Sequence, residues 1–98
     1  MAKRGRPRNP SDTELIIFEL LSDDSEKYGL ELVRESNGAL SRGGIYVFLY
    51  RMQDQGWIVG RADKIVNESG PSRIKYRLSP KGCRVLDAMR RLQTALTS

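Results

Sequence analysis

The chain has 98 residues, room for one domain with a core small enough that dimerisation is expected to help hold it. It contains no histidine and a single cysteine, which removes the commonest general base, the Ser-His and Cys-His nucleophile pairs, an internal disulfide and a cysteine metal cluster. The net charge is +5, made up of +4 over residues 1–10, −5 over residues 11–56 and +6 over residues 57–98, a segregation expected of a protein that turns one face to a polyanion.

The front of the chain, KRGRPR at residues 3–8, has no apolar residue to bury. Residues 1–10 are therefore expected to form a flexible basic arm, and no apolar h-region follows it as a secretory signal requires. The longest apolar stretch, IYVFLY at residues 45–50, is too short to span a bilayer. The expectation is a cytoplasmic, nucleoid-associated protein with no membrane partner and no cofactor.

The first helix is expected from Ser11, with Glu14 three residues on as a capping box needs. Leu15, Ile16, Ile17, Phe18, Leu20 and Leu21 cover most of its surface, which makes it central to the core. Ser22 to Ser25 break it. A second helix is expected from about Glu26 to Ser36, with Leu30 and Val33 on one face and a left-handed stop at Asn37-Gly38. Only Ala39 and Leu40 then precede Ser41, the expected cap of a third helix. Leu40 and Ile45 are spaced for a hydrophobic staple, and Ile45, Phe48, Leu49 and Met52 form an i, i+3, i+4, i+7 stripe that ends at Gly56. Two helices joined by so short a turn are a helix-turn-helix candidate.

Two strands follow. The first is Gly56 to Ala62. The second, Arg73 to Leu78, alternates so that Ile74, Tyr76 and Leu78 face one side and Arg73, Lys75 and Arg77 the other. Asn67 to Ser72 is turn chemistry. Ser79-Pro80 opens a last helix, where Val85, Met89, Leu92 and Leu96 are spaced 4, 3, 4 like a short a/d seam. The fold class expected is mainly α with a small β-hairpin: a winged helix-turn-helix over residues 11–79 and a C-terminal dimerisation helix over residues 80–98.

YGLELVRESNGALSRGGIYVFLYRMQDQGWI (28–58) and SRIKYRLSPKG (72–82) resemble the PadR-like transcriptional regulators. Tyr28, Gly29, Glu31, Leu32, Leu40, Ser41, Gly43, Tyr46, Leu49, Gly56, Lys75, Tyr76, Leu78, Ser79 and Gly82 match the family pattern, and the likeness covers roughly residues 15–92. Two positions depart from it. Val47 stands where the family usually has Pro, and Gly44 where it usually has Thr, so the start of the third helix is expected to be shaped differently. The resemblance implies a DNA-binding regulator in which the residue matching Tyr46 contacts DNA, and one long helix makes the dimer in the smaller members. Family relatives bind aromatic effectors at the dimer interface, so a small-molecule effector stacking on Trp57 is a weak alternative to a core role for that residue; the sequence shows no pocket.

The candidate DNA-binding residues follow from the third helix, the wing and the arm. In a helix-turn-helix the head of the second helix enters the major groove. Ser41, Arg42, Gly43, Tyr46, Tyr50 and Arg51 lie outside the apolar stripe, with Arg42 suited to guanine or to phosphate. Gly43 and Gly44 remove side-chain bulk where backbone must come close. Lys64, Arg73 and Lys75 are wing candidates for the minor groove or its phosphates. The arm supplies Lys3, Arg4, Arg6 and Arg8. Its Arg-Gly-Arg-Pro core resembles the AT-hook, in which such a segment lies in the A·T minor groove; a plain basic tail is the alternative. Val85, Met89, Leu92 and Leu96 are the candidate dimer interface, packing within one domain being the other reading. Cys83 is expected to be a small packing residue.

The leading expectation is a homodimeric repressor that binds double-stranded DNA. The runner-up is a winged-helix protein-interaction module that presents its acidic segment to a basic partner. An enzyme is the weakest reading. Asp23-Asp24 lies in a loop, Glu31 and Glu35 sit one turn apart on a solvated face, and no nucleophile stands beside a base.

Overall fold

The computed structural model describes residues 8–63 and 73–97. The elements are α1 (Asp12–Leu20), β1 (Lys27–Tyr28), α2 (Gly29–Glu35), α3 (Ile45–Asp54), β2 (Ile58–Asp63), β3 (Arg73–Leu78) and α4 (Pro80–Thr97). This is a winged helix-turn-helix with a long last helix, but its wing belongs to a sheet of three antiparallel strands in the order β1-β3-β2. The extra strand corrects the start expected for the second helix. Lys27 and Tyr28 pair with Tyr76 and Lys75, so α2 begins only at Gly29. Of the two residues expected on the inner face, Val33 packs against the core but Leu30 is 43% exposed, and Leu32 is buried completely instead.

The core gathers Ile17, Phe18 and Leu21 with Leu32, the α3 stripe Ile45, Leu49 and Met52, and Trp57, Tyr76, Leu78 and Leu86. Leu40 and Ile45, the expected staple, are both buried in it. Ile74, expected on the inner face of β3, is 44% exposed because that end of the strand reaches past the core. Cys83 is exposed rather than packed.

Three local devices set the positions of the helices. The first ends α3. Gly56, at φ 78°, takes the left-handed conformation that glycine adopts without strain. Trp57 N–H then donates to Met52 C=O at 3.0 Å and Gly56 N–H to Gln53 C=O at 2.9 Å, the Schellman pattern. The second starts α4. Ser79 Oγ accepts from Gly82 N–H at 2.9 Å and donates to Gly56 C=O at 2.5 Å, while Ser79 N–H donates to Trp57 C=O at 2.9 Å. Gly82 is required here, since a Cβ on it would fall on the Trp57 carbonyl.

The third device holds the front of the chain. The capping box expected at Ser11 forms, with Glu14 N–H donating to Ser11 Oγ at 3.2 Å and Ser11 N–H to Glu14 Oε1 at 2.9 Å. Glu14 also takes both guanidinium nitrogens of Arg8, at 2.6 and 2.8 Å, and that guanidinium lies 5.0 Å from the centre of the Trp57 ring. Pro10 is buried. The end of the expected flexible arm is therefore docked, because a carboxylate as buried as Glu14 needs a cation and Arg8 is within reach. Lys3, Arg4, Arg6, Lys64 and the turn at residues 67–72 lie outside the described residues.

Burial pushes the Glu14 carboxyl pKa up, but the hydrogen bonds from Arg8 and Ser11 and the Arg8 charge together outweigh it and hold it below its ordinary value. A carboxylate with a depressed folded pKa stabilises the fold fully above the ordinary glutamate value of about 4.3, and that contribution is lost as pH falls through the lowered value. Arg8→Ala is expected to cost about 1–3 kcal/mol at pH 7, less than a fully buried pair because Arg8 is partly solvated. The loss should shrink as pH falls and Glu14 takes up its proton, because the neutral carboxyl no longer needs the cation; urea unfolding of both proteins across pH 3–7 reads this directly. Gly82→Ala, which forces α4 off the Trp57 backbone, is expected to cost about 3 kcal/mol or more, seen as a large drop in thermal midpoint.

Candidate nucleic-acid interface

Ser41 makes the bonds expected of a cap, but in a turn ahead of α3. Its hydroxyl accepts from Gly44 N–H at 2.9 Å and its carbonyl from Ile45 N–H at 3.0 Å, closing a turn in front of α3. The α-helix proper starts at Ile45, so Arg42 and Gly43 sit in that leading turn and not in the helix. Two successive glycines, each about 1 kcal/mol poorer than alanine as helix formers, explain the delay. Gly44 is held close to Ser41, since a Cβ on Gly44 would come within 2.9 Å of Ser41 Oγ. Gly43 differs: a Cβ there would meet nothing within 4 Å, so packing inside the chain gives no reason for a glycine.

The buried stripe of α3 turns Tyr46, Val47, Tyr50 and Arg51 outward. Tyr46 and Val47 are each 50% exposed and Tyr50 73%. Tyr46 is not a loose rim residue. Its ring lies across Gly29 at the start of α2, where a Cβ would come within 2.9 Å of Cε1 and 3.1 Å of the hydroxyl. A glycine at residue 29 is what lets the tyrosine ring lie flat against the turn.

The neighbouring residue, Tyr28, belongs to the wing. It stands opposite Lys75 in the β1–β3 pairing, and Arg61 stands opposite Lys75 in the β2–β3 pairing. Directly opposed residues share a sheet face, so Tyr28, Lys75 and Arg61 form one row. The Lys75 ammonium lies 5.2 Å and the Arg73 guanidinium 5.7 Å from the centre of the Tyr28 ring. Arg61 is bound to Glu26 by two hydrogen bonds, at 2.8 and 3.2 Å. The Tyr28-Gly29 dipeptide thus joins the two parts of the site: Tyr28 orders the basic wing face and Gly29 seats Tyr46 of α3. The Tyr-Gly match to the family pattern was the signal for this junction, but the residues alone did not mark it as part of the site.

The C-terminal helix carries the other candidate surface. Val85 and Met89 are half-buried, whereas Leu92 is 51% and Leu96 77% exposed. With Leu15, Ile16 and Leu20 of α1, Met89, Leu92 and Leu96 line an open groove of about 590 Å³, while Val85 packs against the core. Arg90 crosses that groove to pair with Glu19, with its Nε 3.1 Å from Glu19 Oε2.

The chain matches the model of the transcriptional regulator PadR-like family over residues 17–88, well over half its length. It belongs to that family. It is similar to a PadR-like transcriptional regulator from Bacillus cereus at 30% identity, covering 86% of this chain and 82% of that one with a TM-score of 0.70. It is also similar in fold to a PadR family transcription regulator from Clostridium difficile (24% identity, 89% and 92% covered, TM-score 0.73). A PadR-like transcription factor from Bacteroides fragilis shares the fold as well (22% identity, 86% and 82% covered, TM-score 0.75). No curated protein matches the chain. As a PadR-family member it is a DNA-binding transcription regulator and not an enzyme. No helix among the described residues is long and apolar enough to cross a membrane.

Gly29→Ala tests the junction. The added methyl meets the far end of the Tyr46 ring, which can swing aside, so stability should change by no more than about 0.5 kcal/mol. The displaced ring should lower duplex affinity about three- to tenfold, the worth of one interface hydrogen bond. Thermal unfolding and fluorescence-anisotropy titration on the same protein separate the two effects.

Proposed function

We propose that this PadR-family protein is a cytoplasmic, nucleoid-associated homodimeric repressor that binds a pseudo-palindromic site in double-stranded DNA. The observation that carries the reading is the Tyr28-Gly29 junction, which puts the outward face of α3 and the basic face of the wing side by side. In this reading Tyr46, Tyr50 and Arg51 enter the major groove. Arg42 and Ser41 approach its edge, and Gly43 supplies bare backbone there, in keeping with the open space around it. Arg73 and Lys75 meet the neighbouring backbone or minor groove, with Lys64 following them along the wing. Repression is the simplest outcome of such binding, through occupation of a site that polymerase needs.

The second copy fits on α4. Val85 packs against the core, Met89 lines the groove beside α1, and Leu92 and Leu96 continue the same 4, 3, 4 spacing with their apolar surface exposed. A partner α4 laid along that row and into the α1 groove covers it, and a two-fold axis there places two α3 helices about 34 Å apart, one turn of DNA. The arm adds Lys3, Arg4 and Arg6 in the minor groove, as the AT-hook resemblance suggests. Arg8 is left out of this set, because Glu14 and the Trp57 ring hold it.

Duplex titration across salt tests the whole reading, since phosphate binding needs no particular sequence; absence of binding to random DNA at low salt would overturn it. Removing residues 2–7, which spares Arg8, should reduce the salt slope by up to about 2.7 per subunit for three charges. Leu92→Asp with Leu96→Asp should give a monomer by sedimentation and weaken binding to a full site by about a hundredfold or more. Binding to an isolated half-site should hardly change.

A further inference from the structure

In the first turn of α3, Ile45 is buried and Phe48 half-buried, so Tyr46 and Val47 are the side chains that the turn presents outward. Neither is charged, and valine has no hydrogen-bonding group in its side chain. A guanine is read by a paired donor fork, which this turn does not contain. Val47 is instead a β-branched group, stiff at χ1, with half its surface in water. Apolar surface so placed gains only when something apolar covers it. The base edges of the major groove offer hydrogen-bonding groups and a single apolar one, the C5-methyl of thymine.

We propose that Val47 is a specificity-determining residue that reads a thymine methyl group in each half-site. The proposal rests on α3 being the recognition helix. The position supports it, because the head of such a helix meets base edges. The neighbours support it too: Tyr46 is seated on Gly29, which fixes the turn beside Val47. Tyr50, one turn further along the same face, extends the uncharged surface that a methyl-lined groove would cover.

The test uses the full-length chain and the duplex it selects from a random pool. Each thymine of that duplex is replaced in turn by uracil, which removes the methyl and keeps the base pair. One thymine in each half-site should be sensitive, and replacing either one should weaken binding about fourfold, the contribution of covering one methyl-sized group. In Val47→Ala and in Val47→Ser the same replacement should have no effect, while binding to random duplex stays as in the parent protein. Tight, sequence-selective binding with no sensitive thymine, or a sensitivity that survives in both variants, overturns the proposal and leaves the DNA-binding reading standing. Failure to bind any duplex overturns both. Loss of a captured protein partner on Val47→Ala, with DNA binding unaltered, assigns the valine to a protein contact and overturns the methyl reading.

Discussion

The fold depends on how closely α4 approaches the backbone at Trp57. Gly82 lies against the Trp57 carbonyl with no room for a side chain, and Ser79 ties the same place to Gly56 and to the first turn of α4. Everything else meets at this residue. Its N–H closes the end of α3, its ring packs on Phe18 of α1 at 5.4 Å, and the same ring carries the Arg8 guanidinium. A domain this small cannot rely on area alone. It gains order by routing one helix end, one strand start, one helix start and the chain's front through a single aromatic residue.

That economy also explains the charge distribution. The acidic part of the chain suggested a face turned away from a polyanion, or one for a basic partner. The structure uses much of it internally: Glu14 holds Arg8, Glu19 holds Arg90, Glu26 holds Arg61 and Glu35 holds Lys27. Glu31, one of the carboxylates on a supposed solvated face, accepts the Tyr28 N–H at 2.7 Å at the start of α2. Apart from the partly buried Glu14–Arg8 pair, these more exposed pairs contribute little stability each. Their effect is to decide which cations stay available. Arg61 and Arg8 are engaged, while Arg42, Arg51 and Arg73 stand exposed.

Local signals carried most of the fold. The Ser11–Glu14 box, the Gly56 stop, the Ser79-Pro80 start and the α3 stripe each depend on residues a few positions apart, and each was readable for that reason. The misses depend on distance. Pairing of Lys27-Tyr28 with β3 joins residues almost fifty positions apart, and two residues are too short for an alternation to announce a strand. The Arg8–Glu14 pair spans only six residues, yet Arg8 sat inside a run of like charges whose plainest reading was an arm. The site was legible as a set of residue types on α3 and the wing. Its assembly was not, because seating Tyr46 on Gly29 is a tertiary contact that no periodicity encodes.

The same geometry separates affinity from selectivity. The positive charges stand around α3 rather than at its head: Arg42 in the turn before it, Arg51 in its last turn, and Arg73 and Lys75 across the Tyr28 junction. In the proposed reading Arg42, Arg73 and Lys75 would act on phosphates, a contribution that falls off with salt and carries no sequence information, while Arg51 would follow Tyr50 into the groove. The head of α3 is uncharged, so what it adds is short-ranged, insensitive to salt and dependent on which groups line the groove. Under the proposed reading, such a protein would find any duplex through its flanks and pause where the groove fits Tyr46, Val47 and Tyr50. In the proposed dimer, pairing through α4 would sharpen that choice, because two weakly selective heads held one helical turn apart must be satisfied together.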